Sequence, residues 1–224
     1  MKQFTASLQD NVSQLKEILR LDKNFDLIYK DMQIDGLDAG FFFIDGFVED
    51  GIMQRILQFF YGLKKEDFTN ADFFMSAGVP YVEVDAETDV DTVVTNILSG
   101  VVAFFVDGFD KCILIDCRTY PARGVDEPWK DKVLRGSRDG FVETLVFNAA
   151  LMRRRIRDPK FSVEVMRVGD RSRSDVAICY IEDKADKKLV AMLKDKLSKL
   201  RVEALTMNVE SVAECLLPGK WINP

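Results

Sequence analysis

The chain has 224 residues, of which 47% are hydrophobic and 30% are charged, and its net charge is −6. This balance is typical of a globular protein and excludes a disordered chain. The complete absence of histidine excludes Ser-His-Asp and Cys-His catalytic arrangements and makes a zinc site an unsuitable interpretation of the four cysteines.

The first half of the chain predicts alternating helices and strands. Apolar residues at helical spacing predict helices, continuous or alternating apolar runs predict strands, and Asp35-Gly36 predicts a hairpin turn. In chain order the predicted elements are a helix at Ser7–Leu21, strands at Phe25–Gln33 and Ala39–Val48, a helix at Asp50–Tyr61, a helix capped by Asp89 or Asp91 and ending at Leu98, and buried strands at Val101–Asp107 and Lys111–Arg118.

A linker is predicted at Tyr120–Pro128, which contains two prolines and one glycine. The charge balance changes sign just beyond it, because residues 1–134 carry a net charge of −11 and residues 135–224 carry +5. We therefore predict a domain boundary near residue 130, with an acidic subdomain at 1–130 and a basic one at 131–224. The second half then predicts a helix at Arg138–Arg157, strands at Phe161–Val168 and Asp175–Glu182, a helix at Lys184–Leu200, a strand at Val202–Thr206 and a helix at Val209–Leu217.

These elements predict an α/β fold of the α+β type, with two small subdomains. Each subdomain is built on strand-hairpin-helix units, with mixed sheets flanked by helices. The segments Leu27–Phe60 and Val163–Leu197 share the order strand, polar turn, strand, helix, which indicates a shared supersecondary unit.

The cysteines predict neither a metal site nor a catalytic pair. Cys112 and Cys117 are five residues apart on a predicted strand and therefore point to opposite faces. We interpret these two, Cys179 and Cys215 as small hydrophobic residues in a reducing cytosol. No stretch approaches the roughly 18–20 apolar residues that span a bilayer, and no secretory signal is recognisable, so we expect the chain as given to be soluble.

The most informative segment is Leu134–Arg157, which reads LRGSRDGFVETLVFNAALMRRRIR. On a helix, its apolar residues form one stripe, with Arg154 opposite that stripe and Arg157 on the solvent side. Cations in the last turn of a helix complement its dipole, so a solvated basic face is one interpretation. Arginine rather than lysine at all four positions instead favours bidentate or stacked contacts with carboxylates or phosphates. The stripe consists of Phe141, Leu145, Ala149, Met152 and Ile156, and Arg153 and Arg155 flank it.

Three motifs occur in an order that resembles the GerA/SpoVAF family of spore germination proteins: YPARGVDEP at Tyr120–Pro128, the segment Leu134–Arg157, and VGDRSRSDVAICYIE at Val168–Glu182. Receptor A subunits of that family usually carry proline and glutamate where this chain has Ser137 and Asp139. The chain is therefore more similar to the SpoVAF branch.

The resemblance implies a soluble N-terminal domain that precedes a multi-helix membrane domain, which would begin near the end of this chain. It implies a location on the cytoplasmic or spore-core side of the spore inner membrane. It also implies partners among the other subunits of a spore inner-membrane complex and a homo-oligomer in the full-length protein. Membrane attachment would then come from the C-terminal domain, which this chain lacks. We expect no cofactor and no metal.

The leading functional hypothesis is an interaction module for assembly and for signal or ion-release coupling during germination. Its arginines would pair with acidic groups on a neighbouring protomer, on a partner subunit or on the acidic first half. The candidate interaction residues are Arg135, Arg138, Glu143, Asn148, Arg153, Arg154, Arg155, Arg157, Arg171 and Arg173.

Three alternatives remain open at this stage. A small-molecule receptor domain would hold its ligand in a pocket between the two subdomains. Nucleic-acid binding through the basic helix is disfavoured by a pI near 4.9 and by the acidic first half. An enzyme is disfavoured because Asp107, Asp110 and Asp116, which could offer oxygen ligands to Mg²⁺, include two turn residues and no phosphate-binding glycine loop accompanies them.

Overall fold

The computed structural model describes residues 2–79, 81, 83–120, 140–201, 212 and 216. The chain divides into two compact units, Met1–Pro159 and Lys160–Pro224. The predicted boundary near residue 130 lies outside the described residues and stays a prediction. The observed division groups residues 140–159, and therefore most of the arginine-rich segment, with the acidic first unit.

The first unit contains five helices and five strands among its described residues. The predicted bounds of the helix at Asp50–Tyr61 are confirmed, and the short elements between residues 71 and 87 were not predicted. In chain order the elements are α1 (Leu8–Ile18), β1 (Leu27–Ile34), β2 (Leu37–Ile44), α2 (Asp50–Tyr61), α3 (Ala71–Gly78), β3 (Val84–Glu87), α4 (Val90–Leu98), β4 (Val102–Val106), β5 (Cys112–Ile115) and α5 (Leu145–Arg155).

Polar side chains fix where several helices begin. The Ser7 hydroxyl accepts the amide of Asp10 before α1, and the Asn70 side chain accepts the amide of Phe73 before α3. Of the two predicted capping residues, Asp89 and not Asp91 caps α4, by accepting the amide of Thr92 at 3.0 Å. Each of these bonds satisfies an amide that has no partner within its own helix.

The five strands form one antiparallel sheet in the order β1-β2-β4-β5-β3. Asp35 and Gly36 form the hairpin turn between β1 and β2, and both have positive φ angles, of 49° and 80°. Such a two-residue turn matches the twist of the strands that it joins. The central strands β4 and β5 are buried on both faces, as their apolar sequences predicted.

Helices cover both faces of this sheet. On one face α1 and α4 pack against Phe42, Ala103 and Phe105, and on the other α2 and α3 pack against Phe41 and Phe104. Alternation along each strand sends successive side chains to opposite clusters. Cys112 and Cys117 are both buried and lie in opposite clusters, which confirms their predicted orientation.

The described part of the second unit begins with a hairpin, which a helix follows. Its strands β6 (Phe161–Val168) and β7 (Ser174–Ile181) pair antiparallel over eight residues, and α6 (Lys187–Lys199) follows, capped by Asp186. This order repeats β1-β2-α2 of the first unit, so the predicted shared supersecondary unit is present in both.

The predicted α+β class is confirmed, with strand-hairpin-helix units and sheets flanked by helices. In detail, every ladder between the described strands is antiparallel, where the prediction had mixed sheets. The predicted strand at 202–206 lies outside the described residues, as does the predicted helix at 209–217 except for residues 212 and 216, which are helical. Among the described helices, none has the length and apolar character needed to cross a membrane.

Candidate interaction surface

Helix α5 begins at Leu145, a full two turns later than the helix predicted from Arg138. Residues 140–144 are not helical, and Asn148 holds this lead-in segment in place. The Asn148 side chain accepts the amide of Val142 at 2.7 Å and donates to the carbonyl of Val142 at 2.6 Å. Asn148, predicted as an interaction residue, therefore pairs with its own chain.

The same amide clamp occurs at the start of α1. Asn11 accepts the amide of Thr5 at 3.0 Å and donates to the carbonyl of Thr5 at 2.7 Å, again across six residues. In both cases the side-chain amide of an asparagine at the start of the helix binds the backbone amide and carbonyl of a residue that precedes the helix. The clamp satisfies backbone groups that the helix start would otherwise leave unpaired.

The buried face of α5 matches the predicted apolar stripe only in part. Ala149, a member of the stripe, is buried together with Ala150 and Arg153, which lie outside the stripe, whereas Phe141, its first member, lies outside the helix and is 67% exposed. The small side chain of Ala150 allows close approach to Gly46 in the chain that leaves β2. A Cβ atom added at Gly46 would lie only 3.1 Å from a methyl group of Val146 in α5.

Arg153 is the largest fully buried side chain among the described residues. Its Nε donates to Asp26 at 2.7 Å, and its Nη2 donates to the other Asp26 oxygen at 3.0 Å and to the Asn24 side chain at 2.7 Å. Asp26 is fully buried and Asn24 nearly so. The prediction placed Arg153 beside the apolar stripe, and in the structure it lies one turn after Ala149, the buried member of that stripe.

This buried cluster joins α5 to the end of α1. Asn24 also donates to the carbonyls of Leu19 and Arg20 at 2.9 and 3.1 Å, so it caps the chain that leaves α1. A buried arginine is tolerated only when its donors are matched, and the bidentate carboxylate does this. A neighbouring protomer, a partner subunit and the acidic first half were the predicted sources of an acidic partner. For Arg153 the partner is Asp26, which belongs to the acidic first half.

Arg154 follows about 100° further around the helix and is exposed. Its guanidinium lies 5.0 Å from the ring centroid of Tyr120, which is a cation–π distance. The Tyr120 hydroxyl donates to the carbonyl of Ser99 at the end of α4 at 3.0 Å, and the ring packs edge-on against Phe47. The first residue of the predicted linker is thus fixed to the first unit.

A bidentate ion pair lies beside Tyr120. The guanidinium of Arg118 binds both carboxylate oxygens of Asp116, and its Nη1 donates to the Ser99 hydroxyl at 3.2 Å. The carboxylate of Asp116, through its hydrogen bonds, raises the pKa of Arg118. Asp116, considered above as a metal ligand, therefore has an arginine partner.

The remaining candidate residues are exposed or lie outside the described residues. Glu143, Arg155 and Arg157 are exposed in the first unit, and Arg171 and Arg173 are exposed in the β6–β7 turn of the second, where Arg173 has a positive φ of 44°. Arg135 and Arg138 lie outside the described residues.

A polar network within the second unit was missed by the sequence analysis. Glu164 of β6 accepts from the Tyr180 hydroxyl, and its two oxygens accept from Lys194 of α6 at 2.5 and 2.6 Å. Burial, and then the hydrogen bond with Glu164, raise the pKa of Tyr180. Alternation along β6 places Ser162 and Glu164 on the face that meets α6, and this is the signal from which the contact could have been predicted.

Asp107, which was also considered as a metal ligand, has a structural contact. Asp107 accepts the amide of Leu8 at 3.1 Å and so caps the first turn of α1. Among the described residues, no group of three or more His, Cys, Asp or Glu side chains is arranged to hold a metal.

Cavities in the described part of the first unit include one beside α2 and one beside Tyr120. One, of about 270 Å³, is mainly apolar and lies between the end of β2 and α2. The other is an open cleft of about 540 Å³ lined by Tyr81, Glu83, Asp116, Arg118 and Tyr120. Both cavities are lined by residues of the first unit. The ligand pocket that was predicted between the two subdomains stays a prediction.

Comparison with known proteins gives consistent matches. The model of the family described as Bacillus/Clostridium GerA spore germination protein matches residues 13–224. Stage V sporulation protein AF of Bacillus subtilis (strain 168) is 32% identical over 96% of this chain and 44% of its own length. Spore germination protein KA of the same organism is 25% identical over 90% of this chain and 38% of its own length.

A solved structure shares the fold. The N-terminal domain of the A subunit of the Bacillus megaterium spore germinant receptor GerK3 superposes with a TM-score of 0.69 at 20% identity, over 89% of this chain and 74% of that one. The chain spans less than half the length of the two relatives named above. The predicted family resemblance, including likeness to the SpoVAF branch, is confirmed.

Proposed function

Because the chain belongs to the GerA family of spore germination proteins, we propose that it is an interaction domain through which a longer, membrane-embedded germination protein assembles with its partner subunits. In this proposal the domain faces the cytoplasm or spore core at the spore inner membrane. It forms a homo-oligomer in the full-length protein and couples assembly to signal or ion release. It carries out no catalysis.

The observation that carries this proposal is that the consecutive arginines of α5 make different contacts. Arg153 anchors the helix inside the first unit through Asp26, and Arg154 rests on Tyr120. The helix end is therefore held rigidly, with Arg155 and the following Arg157 exposed to solvent. A preorganised cationic surface loses less conformational entropy on binding than a flexible one, which favours recognition of an acidic partner.

The net charge is consistent with a partner of this kind. Residues 1–159 carry a net charge of −8, so the exposed end of α5 is a local basic site on an acidic unit. Such a site would set the orientation of an acidic subunit or of a second copy.

The test is charge reversal in the full-length protein. Arg155→Glu with Arg157→Glu should lower co-purification of partner subunits from detergent-solubilised spore membranes by at least about fivefold, because attraction is replaced by repulsion. The matched control is Arg55→Glu with Lys64→Glu, two exposed cations of the first unit outside α5, which should leave co-purification unchanged. Unchanged assembly and germination in the α5 variant, with an unchanged melting temperature of the isolated chain, would contradict the proposal.

A further inference from the structure

Helix α6 of the second unit has an outer face of unusual composition. Leu189 is 49% exposed and Met192 is 45% exposed, and they are the exposed large apolar side chains among the described residues of this unit. They are three residues apart and therefore adjacent on the helix surface. Together they form a small exposed apolar patch, and such a patch is a candidate contact surface when polar residues surround it.

Lysines surround this apolar pair. At about 100° per residue, a sector of about 100° on the outer side of α6 contains Lys188, Leu189, Met192, Lys196 and Lys199 and no acidic residue. Over its 13 residues the helix has five lysines and a single acid, Asp195, which pairs with Lys199 at 2.7 Å from the edge of the sector. Lys196 is half-buried and also donates to the carbonyl of Leu216 at 3.1 Å.

The inner side of the same helix makes contacts within the second unit. Leu197 is buried, and Lys194 binds Glu164 of β6. The orientation of α6 in its unit is therefore set by these contacts, and the lysine and apolar sector is directed outward as a consequence.

We propose that this sector, Lys188–Leu189–Met192–Lys199, binds the surface of an anionic lipid bilayer. Interfacial helices combine exposed aliphatic side chains, which enter the acyl boundary, with flanking lysines that reach the headgroups. A protein partner is the weaker fit, because lysine is depleted at protein interfaces and aromatic anchors, which this sector lacks, are enriched. The inference rests on the proposed function, since a domain of a membrane-embedded protein has a bilayer within reach.

The charge of the second unit agrees with this occupant. Residues 160–224 carry a net charge of +2, against −8 for residues 1–159, so an anionic surface attracts the second unit and repels the first. Each lysine close to an anionic bilayer strengthens partitioning by about fivefold, an effect that falls off within a Debye length.

The test is co-sedimentation of the 224-residue chain with phosphatidylcholine vesicles, with and without phosphatidylglycerol. At low salt we expect at least about tenfold stronger binding to the anionic vesicles. Lys188→Gln with Lys199→Gln should weaken binding to the anionic vesicles by about 25-fold at low salt, about fivefold for each lysine, and by almost nothing at high salt. Leu189→Ser with Met192→Ser should weaken binding several-fold at both salt concentrations, because apolar insertion is not screened.

Matched controls lie in the first unit. Phe73→Ser, at a side chain that is 50% exposed, and Lys64→Gln should bind vesicles as the unchanged chain does. Each variant's melting temperature, followed by circular dichroism, shows that it is folded. Equal binding to both kinds of vesicle, or unchanged binding by both α6 variants, overturns the proposal.

A protein partner gives a different result. Variants of α6 that bind vesicles normally but lose partner co-purification would overturn the lipid assignment in favour of a subunit contact. The Arg155→Glu/Arg157→Glu variant should retain its vesicle binding. Loss of the lipid result therefore leaves the proposed assembly function standing, and loss of the assembly result leaves the lipid site standing.

Discussion

Replacing Arg153 with methionine removes the cation from the centre of a buried cluster and leaves the carboxylate of Asp26 behind. Both side chains are fully inaccessible, and the guanidinium makes two hydrogen bonds to Asp26 and one to Asn24. An uncompensated buried carboxylate costs about 3–5 kcal/mol. A domain of this kind is stable by only about 5–15 kcal/mol, so we expect a large fraction of the stability of the first unit to be lost.

Urea unfolding of the isolated chain measures this effect. With a slope of about 2 kcal/mol per molar urea, a loss of about 4 kcal/mol lowers the midpoint by about 2 M. Arg157→Met is the matched control, because it removes an exposed arginine close in sequence, and it should change the free energy of unfolding by less than about 0.5 kcal/mol.

A double-mutant cycle tests the physical cause. Arg153→Met combined with Asp26→Leu removes both charges, so the double variant should be more stable than Arg153→Met alone, with a coupling energy above about 2 kcal/mol. The reasoning is refuted if Arg153→Met costs less than about 1 kcal/mol or if the two single effects simply add. Either result would mean that the two charges are not buried against each other.

Two further predictions concern the clamp and the cysteines. Asn148→Leu should destabilise the first unit by about 1–2 kcal/mol in the same urea assay, because it leaves the amide and carbonyl of Val142 without their partner, and wild-type stability would contradict the clamp. Burial raises the pKa of the Cys117 thiol from its ordinary value of 9.0 to about 11, so the folded chain binds this proton more tightly than the unfolded chain does. The contribution of this proton to the free energy of unfolding is therefore constant below about pH 9 and falls as the pH rises toward 11. At pH 8, mass spectrometry after maleimide treatment should find exposed Cys179 modified and Cys117 modified only in urea; equal rates in the folded chain would refute the burial of Cys117.

Residue patterns within a short segment were sufficient to predict helix α2, the turn at Asp35-Gly36 and the buried strands β4 and β5. The predicted bounds of α2 agree with those observed, because its apolar residues repeat at helical spacing directly after the hairpin. The turn at Asp35-Gly36 and the buried pair β4 and β5 follow for similar reasons. In contrast, β3 has only four residues and no clear alternation, and it exists because it pairs with β5 across the sheet.

The location of Arg153 could not be predicted from its surroundings in the chain. Its partners Asp26 and Asn24 precede it by 127 and 129 residues, and periodicity carries no information over that separation. The one available signal is Asp26 itself, an acid placed between Phe25 and Leu27 just before β1. A carboxylate in that setting requires a cationic partner, although the sequence does not say which cation supplies it.

The location of Arg153 also determines how the basic cluster must be dissected. Simultaneous alanine substitution of residues 153, 154 and 155 would remove the buried anchor, the contact with Tyr120 and an exposed cation together. Loss of assembly in that variant would follow from unfolding of the first unit alone, since the buried pair is worth several kcal/mol when broken. Substitutions confined to Arg155 and Arg157 leave the anchor intact. Their effects therefore report on an interface when the melting temperature of the isolated chain is unchanged.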